Sequence, residues 1–105
     1  MNRCIVFRPD AWADLAAIAD FLAADNPGRA RRVVAGLRRR CEILLAHPLV
    51  GRPRDAFGAG VRSLSHRPYV IFYRLNGEDI EILAIIHAAR DLPNVLGTRL
   101  GQDRD

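Results

Sequence analysis

The short interruption Asp25-Asn26-Pro27-Gly28 constrains this chain more than any other feature. It separates two stretches of helical period and leaves too few residues for anything but a reversal of direction. Before it, Ala11, Leu15, Ile18 and Leu22 recur on one helical face, with Trp12 and Ala19 widening the stripe. After it, Ala30, Val33, Leu37, Cys41 and Leu44 do the same, widened by Val34 and Leu45. Pro9 suits the first helical position and Asp10 the first turn, where the macrodipole favours an anion. Asn26 is placed to cap the second helix, and Pro48 disfavours helical geometry at His47. Helices over about 11–24 and 28–46, joined this closely, predict an antiparallel αα-hairpin.

The rest reads as β-structure. Residues 3–7 form a short strand before the helices, and Val61–Ser65, Tyr69–Leu75 and Ile80–His87 follow them. The stretch 49–60 is dense in glycine, proline and arginine and is expected to be exposed connecting chain. Asn76-Gly77 predicts a two-residue type I′ hairpin turn. That register sets Leu75 against Glu78, Arg74 against Asp79, Tyr73 against Ile80 and Ile71 against Ile82. Tyr69, Ile71, Tyr73, Ile80 and Ile82 then face the helices, while Phe72, Arg74, Asp79 and Glu81 face a wetter side. The apolar run 82–86 suits an interior strand covered on both faces. The order β-α-α-β-β-β predicts an α+β fold, a helical hairpin on a small, curled, mainly antiparallel sheet whose last strand is central. Its expected core holds Trp12, Leu15, Ile18, Leu37, Cys41, Leu44, Ile71, Tyr73, Ile82 and Ile85. One domain over 1–96 with a frayed polar tail over 97–105 fits a chain of 105 residues.

Charge narrows the partners. All sixteen basic residues are arginine, lysine is absent, and the net charge is +4. Every cation is thus a planar fork suited to carboxylate or phosphate, and none can serve as a base near neutral pH. Asp10, Asp14, Asp20 and Asp25 lie on the first helix and its exit, whereas Arg29, Arg31, Arg32, Arg38, Arg39 and Arg40 lie on the second. Either the helices complement each other across their seam, or the arginines present a face to an acidic partner. No run approaches the ~20 apolar residues of a membrane span, and the start lacks a signal-peptide pattern, so no membrane role and a cytoplasmic location are expected. Cys4 and Cys41 are expected to be reduced, buried thiols.

Several chemistries lack their residues. His47, His66 and His87 have no metal-ligand spacing, and Ser63 and Ser65 have no nucleophile elbow. Gly58-Ala59-Gly60 leads into a strand and not a helix, so it is no phosphate loop. No metal and no cofactor are expected. There remain Arg52, Arg54, Arg62, Arg67, Arg74 and Arg90, which are expected together to surround His87 and grip an anion.

The motifs in order resemble a known family. They are Ala11-x-x-Asp14-Leu15-x-x-Ile18, Asn26-Pro27, His47-Pro48-x-x-Gly51-Arg52-Pro53, Gly60-Val61-Arg62-x-Leu64, Tyr69-x-Ile71-x-Tyr73-Arg74 and Ile82-Leu83-x-Ile85-Ile86-His87-x-x-Arg90-Asp91. Over about residues 5–96 the chain is similar to the ParE branch of the RelE/ParE toxin superfamily. The resemblance implies the toxin of a type II toxin–antitoxin pair, held by a ParD-like antitoxin with a ribbon–helix–helix N-terminus and a wrapping C-terminal segment. Operator DNA would then be met only through the antitoxin. In the ParE branch the target is DNA gyrase, poisoned without catalysis; the RelE branch instead cuts messenger RNA on the ribosome.

The residues favour the gyrase poison over the nuclease. RelE-type cleavage resembles acid–base chemistry with lysines, arginines and a C-terminal tyrosine or histidine. Here 91–96 reads Asp-Leu-Pro-Asn-Val-Leu, with no group that shuttles a proton near neutral pH. Arg62, Arg74, His87 and Arg90 are the candidates for target contact, with no catalytic residue assigned. Trp12, Arg31, Arg38, Arg52 and Arg54 are the candidates for antitoxin contact.

Overall fold

The computed structural model describes residues 3–89. Strand β1 (Ile5–Phe7) leads into helix α1 (Pro9–Ala23), and α2 (Pro27–Cys41) returns antiparallel to it. Pro9 and Pro27 take the first helical positions, and the Asn26 side chain accepts a hydrogen bond from the Arg29 N–H at 3.0 Å. The second helix does not run unbroken to residue 46. It turns at Glu42 and resumes as the single turn α3 (Ile43–Ala46), which ends at His47 as the following proline requires.

Five strands form one sheet in the order β1-β5-β4-β3-β2, where β2 is Arg52–Pro53, β3 Arg62–His66, β4 Tyr69–Asn76 and β5 Asp79–His87. Only β1 runs parallel to its neighbour. The last strand is interior, between β1 and β4, and β4 occupies the middle. The helices cover one face, over a core in which Leu37, Leu44, Ile71, Tyr73, Ile80 and Ile82 are wholly buried. Leu15 and Ile18 join them from α1. Where β1 ends, α1 takes over its role: the Asp14 carboxylate accepts a hydrogen bond from the Ile85 N–H at 2.9 Å, a donor that β1 is too short to reach.

Five further expectations need correction. Trp12 is 48% exposed, because it sits to one side of the Ala11–Leu15–Ile18 stripe and lies at the margin against Phe7, ring centroids 4.8 Å apart. Phe72 does not face water. It is buried with Val61, Leu83, Ala84 and Ile86 in a second small core on the far side of the sheet.

The chain over 49–60 is not merely exposed, since it forms β2 and a 3-10 turn over Asp55–Phe57. That turn brings Phe57 edge-on to Phe72 at 6.3 Å. The hairpin turn is Gly77-Glu78, not Asn76-Gly77: Asn76 faces Asp79, Leu75 faces Ile80, Arg74 faces Glu81 and Tyr73 faces Ile82. Gly77 alone there has positive φ, as in a type II′ turn, where the first central residue is glycine. The two registers differ by two residues, so the same side chains still face the helices. A bulge opposite Phe72/Tyr73 then shifts the phase of β5, which is why Ile80, Ile82 and Ile85 share one face. Last, Cys4 is exposed; only Cys41 is buried, and burial, helped by the neighbouring Glu42 charge, pushes its thiol up to about 12. Arg90 and the expected frayed tail over 97–105 lie outside the described residues.

Candidate functional site

The predicted site residues fall into three places. Trp12, Arg31 and Arg38 come together along the outer seam of the hairpin. There Ala19, Ala23, Ala30, Val34 and Ala35 floor a groove of about 410 Å³ whose rim carries Asp20, Arg31 and Arg38. The floor is shallow because the facing side chains are small. At one end the Arg38 guanidinium lies over the Trp12 ring, 5.6 Å from its centroid, which holds an exposed indole and a cation in one patch. The seam is not closed by ion pairs. Among the described residues no α2 arginine is paired with a carboxylate.

Arg52, Arg54, Arg62 and Arg74 lie toward the opposite edge and the turn end of the sheet. Arg62 is committed to the chain itself. Its Nη1 donates to the Leu49 carbonyl at 3.1 Å and the Gly51 carbonyl at 2.8 Å. The same loop is tied from below by Tyr73, whose hydroxyl donates to the Pro48 carbonyl at 2.8 Å and accepts from the buried Gly51 N–H at 2.9 Å. Burial raises the Tyr73 phenol's pKa, more than the Gly51 N–H and the Arg62 charge lower it. Gly51 permits this clamp: a Cβ there would stand 2.6 Å from the Tyr73 hydroxyl and 2.8 Å from the Ser63 carbonyl. Arg54 reaches Ser63 Oγ at 3.0 Å, leaving Arg52 exposed on the edge strand.

Arg74 is held by Glu81 at 3.0 Å, with Arg8 3.6 Å from the same carboxylate and Asn76 donating to it at 3.4 Å. Burial would raise the Glu81 carboxyl, but these partners outweigh it, Arg74 foremost, and hold it below the ordinary carboxylate range.

His87 ends β5 at the other end of the sheet, its ring edge-to-face with Tyr69 at 5.7 Å. It helps line a cavity of about 330 Å³ with Ser65, Arg67, Pro68, Val70 and Ala89. His87 faces Tyr69, whereas Arg62 faces Tyr73. Four strand positions, roughly 13 Å, therefore separate them along β4. The arginines of 52–62 and Arg74 are not gathered around His87; Arg67 alone of the described set shares its cavity. The clamp residues Tyr73 and Gly51 and the carboxylate Asp14 were not singled out as functional groups from sequence. Their pairings span 22 and 71 residues, so no local pattern marks them.

Comparison with known proteins agrees with this architecture. Residues 5–92 match the family model described as the ParE toxin of the type II toxin-antitoxin system, parDE. Y4kP of Sinorhizobium fredii is 35% identical over 79 residues, covering 75% of this chain and 81% of that protein. Toxin ParE3 of Caulobacter vibrioides is 41% identical over 56 residues, or 53% of this chain and 56% of its own length. Among solved structures, one from a chromosomal ParDE toxin–antitoxin system of P. aeruginosa superposes with a TM-score of 0.70 at 27% identity, over 81% of this chain and 95% of that one. The chain belongs to the ParE toxin family of parDE type II toxin–antitoxin systems, which implies an antitoxin as its partner.

Proposed function

We propose that this toxin acts as a non-enzymatic poison of DNA gyrase and is silenced by a ParD-like antitoxin with a ribbon–helix–helix N-terminus. The observation that carries the first half is the employment of Arg62. General acid–base cleavage needs its cations and its proton-transfer group on one substrate at once. Here Arg62 is spent on two backbone carbonyls, and His87 stands at the far end of β4 from it. His87, Arg90 and Arg74 (the last held at the turn end by Glu81) are then the groups for contact with the target surface, where an arginine's permanent charge binds without transferring a proton.

The antitoxin reading rests on the hairpin groove. A segment disordered on its own gains affinity by laying small apolar anchors on an apolar floor, and acidic residues on it would meet Arg31 and Arg38. Trp12 offers a large, half-exposed anchor beside them, and Arg52 and Arg54 extend basic surface toward the sheet edge. Operator DNA is then reached through the antitoxin's own DNA-binding part. Inducing the toxin alone in cells should stop DNA replication and raise double-strand breaks while transcripts stay whole. New cuts mapped to ribosomal A-site codons, with replication continuing, would refute the reading.

A further inference from the structure

The α2 helix carries a second basic face that the antitoxin groove does not use. Arg29, Arg32 and Arg39 are exposed along one helical stripe on the side of the helix away from the seam, and the half-buried Arg40 borders it next to β3. Gly36 sits in the middle of the stripe, and His66 at the end of β3 stands beside it. Together Gly36, Arg39, Arg40, Ile43 and His66 line a cleft of about 300 Å³. Arg40 is fixed in place, its Nε donating to the Ser65 carbonyl at 3.0 Å. None of these arginines forms an ion pair among the described residues; the nearest acid in sequence is the exposed Glu42.

We propose that this face binds the phosphate backbone of duplex DNA directly. Its chemistry separates it from a peptide site. A peptide needs buried apolar anchors, because exposed charge pairs alone are worth under about 1 kcal/mol each. The large exposed apolar side chains, Trp12, Phe21, Leu45, Leu49 and Val50 among them, are all elsewhere in the chain than this stripe. A polyanion needs no such anchor, since released counterions supply the affinity. Single strands are ordinarily held on aromatic stacking platforms, and the stripe has no aromatic ring besides His66. From Arg29 to Arg40 the stripe is roughly 16 Å long, the length of four to five base pairs. The inference is independent of the gyrase reading, because it concerns naked DNA of any sequence; recognition of the operator stays with the antitoxin.

The test is fluorescence anisotropy of a labelled duplex of about 24 base pairs and arbitrary sequence, titrated with the full chain over a range of salt. Three phosphate contacts, from the exposed Arg29, Arg32 and Arg39, predict a slope of log K against log salt of about −2.7. The double variant Arg32→Gln/Arg39→Gln should bring that slope closer to zero by about two and weaken binding at least tenfold in low salt. Arg31→Gln/Arg38→Gln loses the same charge from the other side of the helix and should change affinity less than threefold. Thermal unfolding of both variants checks that each is folded, and both exchange exposed side chains. Equal losses from the two variants would show diffuse attraction to net charge and overturn the proposal. Tighter binding to a single strand of the same length would overturn it too. So would preferential binding of a poly-glutamate peptide that depends on Arg32 and Arg39, which would make the face a protein interface.

Discussion

Replacing Tyr73 by phenylalanine should loosen the loop that joins the hairpin to the sheet. The ring keeps its place in the core, so no cavity larger than one oxygen is made. What is lost is the clamp. The Gly51 N–H, buried and 2.9 Å from the hydroxyl, is left without its acceptor, which costs about 1–3 kcal/mol. The Pro48 carbonyl is only partly buried and regains water, so its loss is nearer 1 kcal/mol. The sum is about 2–4 kcal/mol. With a urea slope of about 1.5 kcal/mol/M for a domain of this size, the midpoint should fall by roughly 1.3–2.7 M at unchanged slope.

Two further readouts come from the same geometry. Arg62→Ala acts on the same loop through Leu49 and Gly51, so the double variant should be non-additive by more than about 0.5 kcal/mol. The wild type should also lose stability as pH rises past the ordinary tyrosine value of 10.0, because its buried phenol gives up its proton less readily than in the unfolded chain. Tyr73→Phe should lack that alkaline loss. A midpoint shift below about 0.3 M would refute the clamp, since one buried and one partly buried hydrogen bond cannot vanish so cheaply.

Other perturbations test other parts. Gly51→Ala should cost about 1–3 kcal/mol in chemical denaturation, because its Cβ collides with the Tyr73 hydroxyl and a backbone carbonyl that cannot both retreat. Leu37→Ala should cost about 2–5 kcal/mol, whereas Trp12→Ala should cost less than Leu37→Ala and instead weaken antitoxin binding in calorimetry. Glu81 has a lowered carboxyl pKa in the folded state, so its contribution is present above the ordinary value of 4.5 and fades as pH falls through the folded value; Glu81→Gln should flatten the acid limb of a stability–pH curve. A thiol reagent at neutral pH should label Cys4 and leave Cys41 untouched until the chain unfolds, as mass spectrometry of the adducts would show.

The helical hairpin was legible because helical period, two prolines and an asparagine cap all agree, and Leu15 and Leu37 are buried as that period requires. The inward face of β4 and β5 was legible for a different reason. An error of two residues in the turn preserves parity, so Tyr73, Ile80 and Ile82 stay inside under either register. The turn itself was misread because Asn-Gly carries a strong local preference that the Arg74–Glu81 pairing of the observed register outweighs. Phe72 was misread because the chain that covers it, 54–61, has no period of its own and is fastened by long-range contacts such as Phe57 on Phe72.

The functional surface follows the same division. Trp12, Arg31 and Arg38 could be grouped because helix positions are related by simple geometry. The expected ring of arginines around His87 dissolved because position along antiparallel strands depends on register. Arg62 also turned out to be occupied by carbonyls that no local motif announces.

The most direct test of the proposed mechanism is a cleavage assay with purified gyrase, relaxed plasmid, ATP and the toxin, quenched with detergent and protease. The account predicts that linear plasmid accumulates with toxin concentration, disappears when the cognate antitoxin is added first, and still reaches its full yield with His87→Ala at saturating toxin, because His87 supplies contact and no proton transfer is involved. Absence of linear plasmid at any toxin concentration, together with fresh cuts in ribosome-bound messenger RNA that His87→Ala or Arg62→Ala abolishes, would contradict it.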